Sequence, residues 1–251
     1  MDDQHRIGSG RATISIIIPA LNEAANLPFV LPRIPKVPEI SEVILVDGAS
    51  TDGTADIARD LLAGIRIVEQ DGCGKGNAVK CGAQAAKGDY FLVLDADGSQ
   101  VPEEIPIYLE QAREGYDLVK GSRYLDGRDT EDETLGRVLM CKLTYFVANS
   151  LWQTKFSDIG YGVFLINREK FLDLDIKSNF FEMEYELMIK AKRKGLKIVE
   201  VPAHENARIH GKSHLSYRHD GWLIFKTVLR EWWRGLKERP GESKETVDSV
   251  A

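Results

Sequence analysis

Short apolar runs recur along the first half of the chain, separated by stretches with helical spacing. ISIII (14–18), EVILV (42–46), RIVE (66–69) and YFLVL (90–94) lack polar alternation, so they read as strands buried on both faces. Between them, 26–34, 54–63, 77–87 and 103–114 carry the apolar spacing of helices. Strands alternating with helices predict right-handed βαβ units around a mostly parallel sheet. Asp52 stands where a helix N-cap belongs, and Gly88 follows a helix as a stop.

Beyond Asp117 the rhythm loosens. DLVKGSRY (117–124) predicts a fifth strand, and GRDTEDET (127–134) a polar acidic loop. A helix is expected over 135–152, a strand over 163–166, a helix over 181–194, a strand over 197–201 and a last helix over 220–238. The expected organisation is a flexible N-terminus (1–12), one α/β domain (13–239) and a disordered tail (240–251).

At 251 residues with a formal net charge of -6, the chain suits one soluble domain and not a general nucleic-acid binder. Cys73, Cys81 and Cys141 form no CxxC pair, which argues for a reducing, cytoplasmic setting without a disulfide framework. The start, MDDQHRIGSGRAT, has no apolar core of a signal peptide, and no apolar run approaches the ~18 residues of a membrane span.

Open parallel sheets gather ligands at the carboxyl ends of their strands. The first strand delivers Pro19-Ala20-Leu21-Asn22-Glu23 there, the second Asp47-Gly48-Ala49-Ser50, the fourth Asp95-Ala96-Asp97 and the fifth Gly121-Ser122-Arg123. Neither the G-x-G-x-x-G fingerprint nor the GxxxxGK[ST] loop is present; GCGKGN (72–77) has neither spacing. Hydride transfer and P-loop chemistry are therefore disfavoured. Asp95 and Asp97 lie on one side of an extended segment, where two carboxylates repel unless a cation neutralises them. Hard divalent cations, Mg²⁺ or Mn²⁺, take such oxygens and bridge phosphates; a solvated, helix-capping turn is the other reading of the same residues.

In order, SIIIPALNEAANL, EVILVDGASTDGT, GKGNA, DYFLVLDADGS, KGSRY and FFEMEYELMIKAKRKGLKIVEVPAHENARIHGKS follow the motif series of inverting family 2 glycosyltransferases with the GT-A fold. Within that family the chain most resembles the dolichyl- or polyprenyl-phosphate mannosyl- and glucosyltransferase branch, over about 14–216. The resemblance implies a nucleotide diphosphate sugar held by Pro19, Asn22, Glu23, Asp47 and Lys75, with Asp95, Ala96 and Asp97 at the ribose and cation. Ser99 falls where some relatives carry a further ligand on the metal side. It also implies Arg123 and Arg137 around the phosphates, Asp158 near the acceptor, and Arg208 and Lys212 on a basic closing loop.

Guanidinium forks suit a departing diphosphate. Asp158 acts as a base only for a hydroxyl acceptor, because a phosphate acceptor is already anionic. Three positions depart from the family pattern: Gly48 stands for a second acid, Cys141 for a serine and His214 for a lysine. Glu182, Glu186 and Lys190 share a helix face and read as structural pairing, whereas Glu184 faces elsewhere and is the better site candidate.

Ser216–Arg239 carries six basic residues against three acidic ones within an acidic chain. Trp222, Phe225, Leu229, Trp232 and Leu236 recur at helical spacing, so this helix either lies in a lipid interface or docks its aromatic stripe on the domain's own sheet. The expected activity is metal-dependent transfer of a sugar from a UDP- or GDP-sugar, with a polyprenyl or dolichyl phosphate as favoured acceptor. Transfer to a soluble hydroxyl compound, nucleotidyl transfer and non-catalytic nucleotide-sugar binding are the alternatives.

Overall fold

The apolar runs become strands in chain order. The computed structural model describes residues 12–125, 135–212 and 217–238, and within them the side chains of all but 135–143, 217–218 and 236–238. The expected N-terminal segment up to residue 11, the acidic loop 127–134 and the tail 240–251 lie outside the described residues, as do the side chains of Arg137, Cys141, Ser213 and His214.

The elements are β1 (Ile14–Ala20), α1 (Leu27–Val30), β2 (Ile40–Asp47), α2 (Thr54–Leu61), β3 (Arg66–Glu69), α3 (Lys75–Ala85), β4 (Tyr90–Val93) and α4 (Ile105–Arg113). There follow β5 (Leu118–Ser122), α5 (Leu135–Trp152), β6 (Phe164–Asn167), α6 (Arg168–Asp173), α7 (Glu182–Arg193), β7 (Ile198–Pro202) and α8 (Tyr217–Glu238). The strands form one sheet of order β3-β2-β1-β4-β6-β5-β7. All pairings are parallel except those of β6, which runs antiparallel between β4 and β5.

The strands are apolar without alternation because both faces are covered. Ile14, Ile16 and Ile18 with Leu45, Tyr90 and Leu92 pack under α1, α2 and α4. Ile17, Ile44, Val46, Phe91 and Val93 pack on the opposite face with residues of α3, α5, α6 and α7. Phe91 meets Phe171 edge-on at 4.9 Å between ring centres, which seats α6 against the sheet.

Prolines account for two boundary differences. The helix expected over 26–34 is a single turn that tightens into a 3₁₀ turn over Leu31–Arg33, where Pro32 lacks the N–H an α-helix would use. Similarly, α4 begins at Ile105 after a 3₁₀ turn opened by Pro102. Helix α6 had no apolar periodicity to announce it; Asn167 caps it by accepting from the Lys170 N–H at 3.1 Å. Gly88 is no left-handed helix stop: a β-carbon there would stand 2.7 Å from the Ser15 nitrogen, so glycine allows the chain to enter β4 close against β1.

Candidate active site

The order in which strands are added reverses between the parallel neighbours β1 and β4: β2 and β3 lie to one side of β1, and the chain then crosses back to β4 on the other. Such a switch point opens a crevice at the strand ends. A cavity of about 450 Å³ occupies it. Pro19 and Glu23 reach it from β1, Lys75 from α3, Asp95, Ala96 and Asp97 from β4, and Arg208 from the loop after β7.

The five charged groups named here are all paired. Lys75 Nζ stands 2.7 Å from Asp95 Oδ1 and donates to Oδ2 at 2.9 Å. Gln100 Nε2 also donates to Asp95 Oδ2, at 2.7 Å, while its Oε1 accepts the Asp95 N–H. Asp97 Oδ1 accepts from the Ser99 hydroxyl at 2.7 Å and from the Ser99 N–H at 3.0 Å. Ser99 thus braces Asp97, a different post from the ligand position suggested for it. Arg208 bridges Asp97 Oδ2, at 3.0 Å, to Glu23.

Local backbone explains these placements. The loop after β7 lies across the Asp97 turn through the Asn206 N–H to Ser99 oxygen bond (2.7 Å), and Ile209 covers Gly98, whose φ is 78°. Asn26 fixes the same loop by accepting the His210 N–H at 2.9 Å. Gly74, with φ 91°, and Gly76 let the start of α3 meet the segment before α7, since a β-carbon on Gly74 would lie 2.4 Å from the Asn179 oxygen. That contact brings Phe180 and Phe181 to the cavity.

Other expected site residues fall elsewhere. Asn22, at φ 56°, accepts the Thr51 N–H at 2.8 Å and stitches the β1 and β2 turns together. Asp47 accepts the Ser50 N–H at 3.3 Å, and neither it nor Asn22 lines the cavity. Lys212 is exposed outside the cavity wall.

Arg123 and Asp158 are buried together and line no part of the cavity, joined by Nε to Oδ2 at 2.7 Å and Nη2 to Oδ1 at 3.0 Å. Tyr145 donates to Asp158 Oδ1 at 2.8 Å, and Arg123 also holds Glu205 at 2.7 Å. Burial pushes the Asp158 carboxyl up, but the Arg123 hydrogen bonds and charge outweigh it and hold the group below the usual carboxylate range.

Gln70, Cys73, Gln100, His219 and Asp220 were absent from the expected set. His219 and Asp220 belong to the first turn of α8, so the basic helix closes one side of the cavity. No strand-end rule points to a helix that arrives from the far end of the chain. Glu184 is buried on α7, 3.5 Å from Lys75 Nζ, and so does adjoin the site. Glu182 and Glu186 serve structure, Glu186 pairing with Lys190 at 2.6 Å.

The expected stripe on α8 is divided: Leu229 and Trp232 are half-buried, and Val228 and Ile224 beside them pack on the core, while the outer positions are exposed. Trp222 (63 % exposed), Phe225 (45 %) and Trp233 (59 %) face outward. The inward face presents Asp220, Thr227, Val228 and Glu231, and docks on α7 through Arg230 to Glu186 (3.1 Å) and Arg193 to Glu231 (3.1 Å). Among the described residues no helix is long and apolar enough to cross a membrane.

A mostly parallel α/β sheet with two carboxylates at its switch point is the arrangement of the GT-A fold. The description Glycosyl transferase family 2 matches residues 15–174, and the chain belongs to that family of glycosyltransferases. It is 32% identical over 222 residues to the glycosyltransferase AglJ of Haloferax volcanii, covering 86% of this chain and 71% of that one. It is 32% identical to the dolichol-phosphate mannosyltransferase of Pyrococcus furiosus, covering 89% of this chain but only 64% of the longer protein. It is 30% identical to the undecaprenyl-phosphate mannosyltransferase of Micrococcus luteus over 90% of this chain and 98% of that one.

Among solved structures, glucosyl-3-phosphoglycerate synthase of Mycobacterium tuberculosis, in complex with Mn²⁺, UDP and glucosyl-3-phosphoglycerate, superposes with a TM-score of 0.70. It has 25% identity and covers 88% of this chain and 80% of that one. Family membership sets aside nucleotidyl transfer and non-catalytic binding as readings of the site.

Proposed function

We propose that this glycosyltransferase moves a sugar from a nucleotide diphosphate donor to a polyprenyl phosphate. The observation that carries the acceptor class is the state of Asp158. A hydroxyl acceptor needs a general base, and Asp158 has both oxygens engaged, by Arg123 and Tyr145, with no exposure to solvent. A phosphate monoester brings its own anionic oxygen and needs no base. The named relatives from Pyrococcus and Micrococcus act on lipid phosphates, which supports the same reading.

The donor set of Asp95 and Asp97 fits a hard divalent cation, because two carboxylates leave the remaining positions to phosphate and water. A cation held by these two residues would neutralise charge on the departing diphosphate. Lys75 and Arg208 already stand on the same wall as cationic donors. Arg208 is placed to turn from Glu23 and Asp97 toward a bound diphosphate, a fork that would strengthen as negative charge develops on the leaving group. Phe180, Phe181 and Pro19 narrow the cavity and exclude water from the anomeric carbon. The acceptor oxygen then attacks from the face opposite the diphosphate in one displacement, which inverts the centre.

Transfer to a hydroxyl of a soluble compound is the second reading, favoured by the likeness to the synthase bound to glucosyl-3-phosphoglycerate. A panel of UDP- and GDP-sugars with Mg²⁺ or Mn²⁺, scored for nucleoside diphosphate release with and without polyprenyl phosphate, separates the two. Lipid-dependent release is expected; release driven by a soluble hydroxyl compound instead would overturn the proposal.

A further inference from the structure

Lys75 has two anionic neighbours from different elements, Asp95 after β4 and Glu184 on α7. Its ammonium lies 2.7 Å from Asp95 Oδ1 and 3.5 Å from Glu184 Oε1. The side chain is 13% exposed and that of Glu184 only 3% exposed. Gly162 backs the Lys75–Asp95 pair so closely that a β-carbon there would stand 2.4 Å from Lys75 Nζ and 2.6 Å from Asp95 Oδ2. Glu184 also interacts electrostatically with Lys120 of β5, fully buried, whose Nζ has no hydrogen-bond partner among the described residues. Burial pulls the Lys120 ammonium below its usual range, and Glu184 is the charge that most opposes this.

Asp95 is the carboxylate that the proposed function gives to a divalent cation, and the inference rests on that reading. One carboxylate cannot hold both an ammonium and a divalent cation at full strength, because the two positive charges repel in low-dielectric surroundings. A buried ammonium also cannot be left without an anion except at high cost. Glu184 answers both conditions: it is within reach of Lys75 without passing through Asp95.

We propose that Glu184 is a positioning residue for the cation site. It is the counter-ion that receives Lys75 when Asp95 turns to a divalent cation, and the buried charge of Lys120 moderates the hold it takes. The arrangement makes Lys75 a movable charge with two docking points, so cation affinity depends on how evenly Asp95 and Glu184 share it. Phe181, whose ring centre is 6.0 Å from Lys75 Nζ, leaves the ammonium a soft wall along which to shift.

The test is a cycle of Lys75→Met and Glu184→Gln, read as Mn²⁺ affinity by calorimetry in the presence of UDP or GDP, whichever the parental chain binds. In the parental background Glu184→Gln is expected to weaken Mn²⁺ binding about tenfold, because Lys75 is then left on Asp95 alone. In the Lys75→Met background the same change is expected to alter affinity less than about twofold, the coupling signature of one residue acting through another. Equal losses in both backgrounds would reduce Glu184 to a distant field and overturn the proposal. Lys120→Met supplies a second arm should Glu184→Gln fold poorly: it is expected to tighten Mn²⁺ several-fold in the parental chain and to have no effect alongside Lys75→Met, and tightening in both would likewise overturn it. A parental chain that binds nucleotide but no Mn²⁺ would instead defeat the cation reading itself, and the positioning role with it.

Discussion

Arg123 and Asp158 form a two-bond fork with both side chains withdrawn from solvent, at 2.7 and 3.0 Å. Removing one member of such a pair leaves an uncompensated charge in the interior. Asp158→Asn is therefore expected to lower folding stability by about 3–5 kcal/mol at neutral pH. The folded Asp158 carboxyl is held below its ordinary range, so its contribution is present above that range and is lost as pH falls. Urea denaturation should show the gap between parent and variant narrowing on acidification. A variant as stable as the parent would return Asp158 to the acceptor site.

Arg208 joins Glu23 to Asp97 from a loop fixed by backbone bonds at Asn206 and Ile209. Because the backbone holds the loop, Arg208→Ala should leave the melting temperature nearly unchanged. It should lower kcat/KM for the nucleotide sugar by about 10²-fold, the usual loss of one strong donor at a developing oxyanion. Steady-state kinetics beside a thermal melt would decide. A large fall in melting temperature with little kinetic change would make Arg208 a structural brace.

Much of this site was legible from strand ends alone. Pro19 lies at the end of β1, Glu23 follows it, and Asp95, Ala96 and Asp97 follow β4; a parallel sheet leaves strand ends few places to go. Asn22 and Asp47 sit at similar ends yet spend their side chains on turn hydrogen bonds, a choice made by the left-handed backbone at Asn22 and Ala49 that composition does not encode. The family resemblance puts Arg123 near the phosphates, but its partner Asp158 lies 35 residues on, and only folding reveals that they pair. The antiparallel β6 and the entry of α8 at the cavity depend on long-range packing in the same way.

Gly162 tests the close approach at Lys75 and Asp95. A methyl group cannot fit at 2.4 Å from Lys75 Nζ, so Gly162→Ala must push the two side chains apart. The expected result is a folded protein whose nucleotide and Mn²⁺ affinities fall together, by about tenfold. Binding isotherms equal to the parent's would show that the pair relaxes without consequence.

Glu186 links α7 to the middle of α8 through Arg230 at 3.1 Å and pairs with Lys190 of its own helix at 2.6 Å. Burial raises its carboxyl, but the hydrogen bonds of Lys190, Ser178 and Lys177 outweigh that and bring it down to about 2 from a usual 4.5. A depressed folded pKa stabilises above the unfolded value, and the benefit declines from about pH 4.5 to about 2. Helix α8 carries the half-buried Trp232, whose exposure on detachment of the helix is visible in tryptophan emission. The emission of the parent should shift within that acid window, and Glu186→Gln should show the shifted signal already at neutral pH. An identical acid profile in both proteins would assign the transition to other carboxylates.

The outward face of α8 sets Trp222, Phe225 and Trp233 beside the exposed Lys226 and Arg234, while the first turn of the same helix lines the cavity. Apolar rings and basic groups together suit the boundary of an anionic bilayer, where rings enter the headgroup layer and cations meet lipid phosphates. A polyprenyl phosphate presented by that bilayer would arrive at the cavity without leaving the membrane surface. The chain is therefore expected to co-sediment with vesicles containing anionic lipid, and less so as salt is raised. Trp222→Ser with Phe225→Ser should abolish sedimentation while leaving nucleotide binding unchanged, since neither ring touches the cavity. Should the double variant sediment like the parent, the aromatic face would belong to another partner, and the route of the acceptor would have to begin elsewhere.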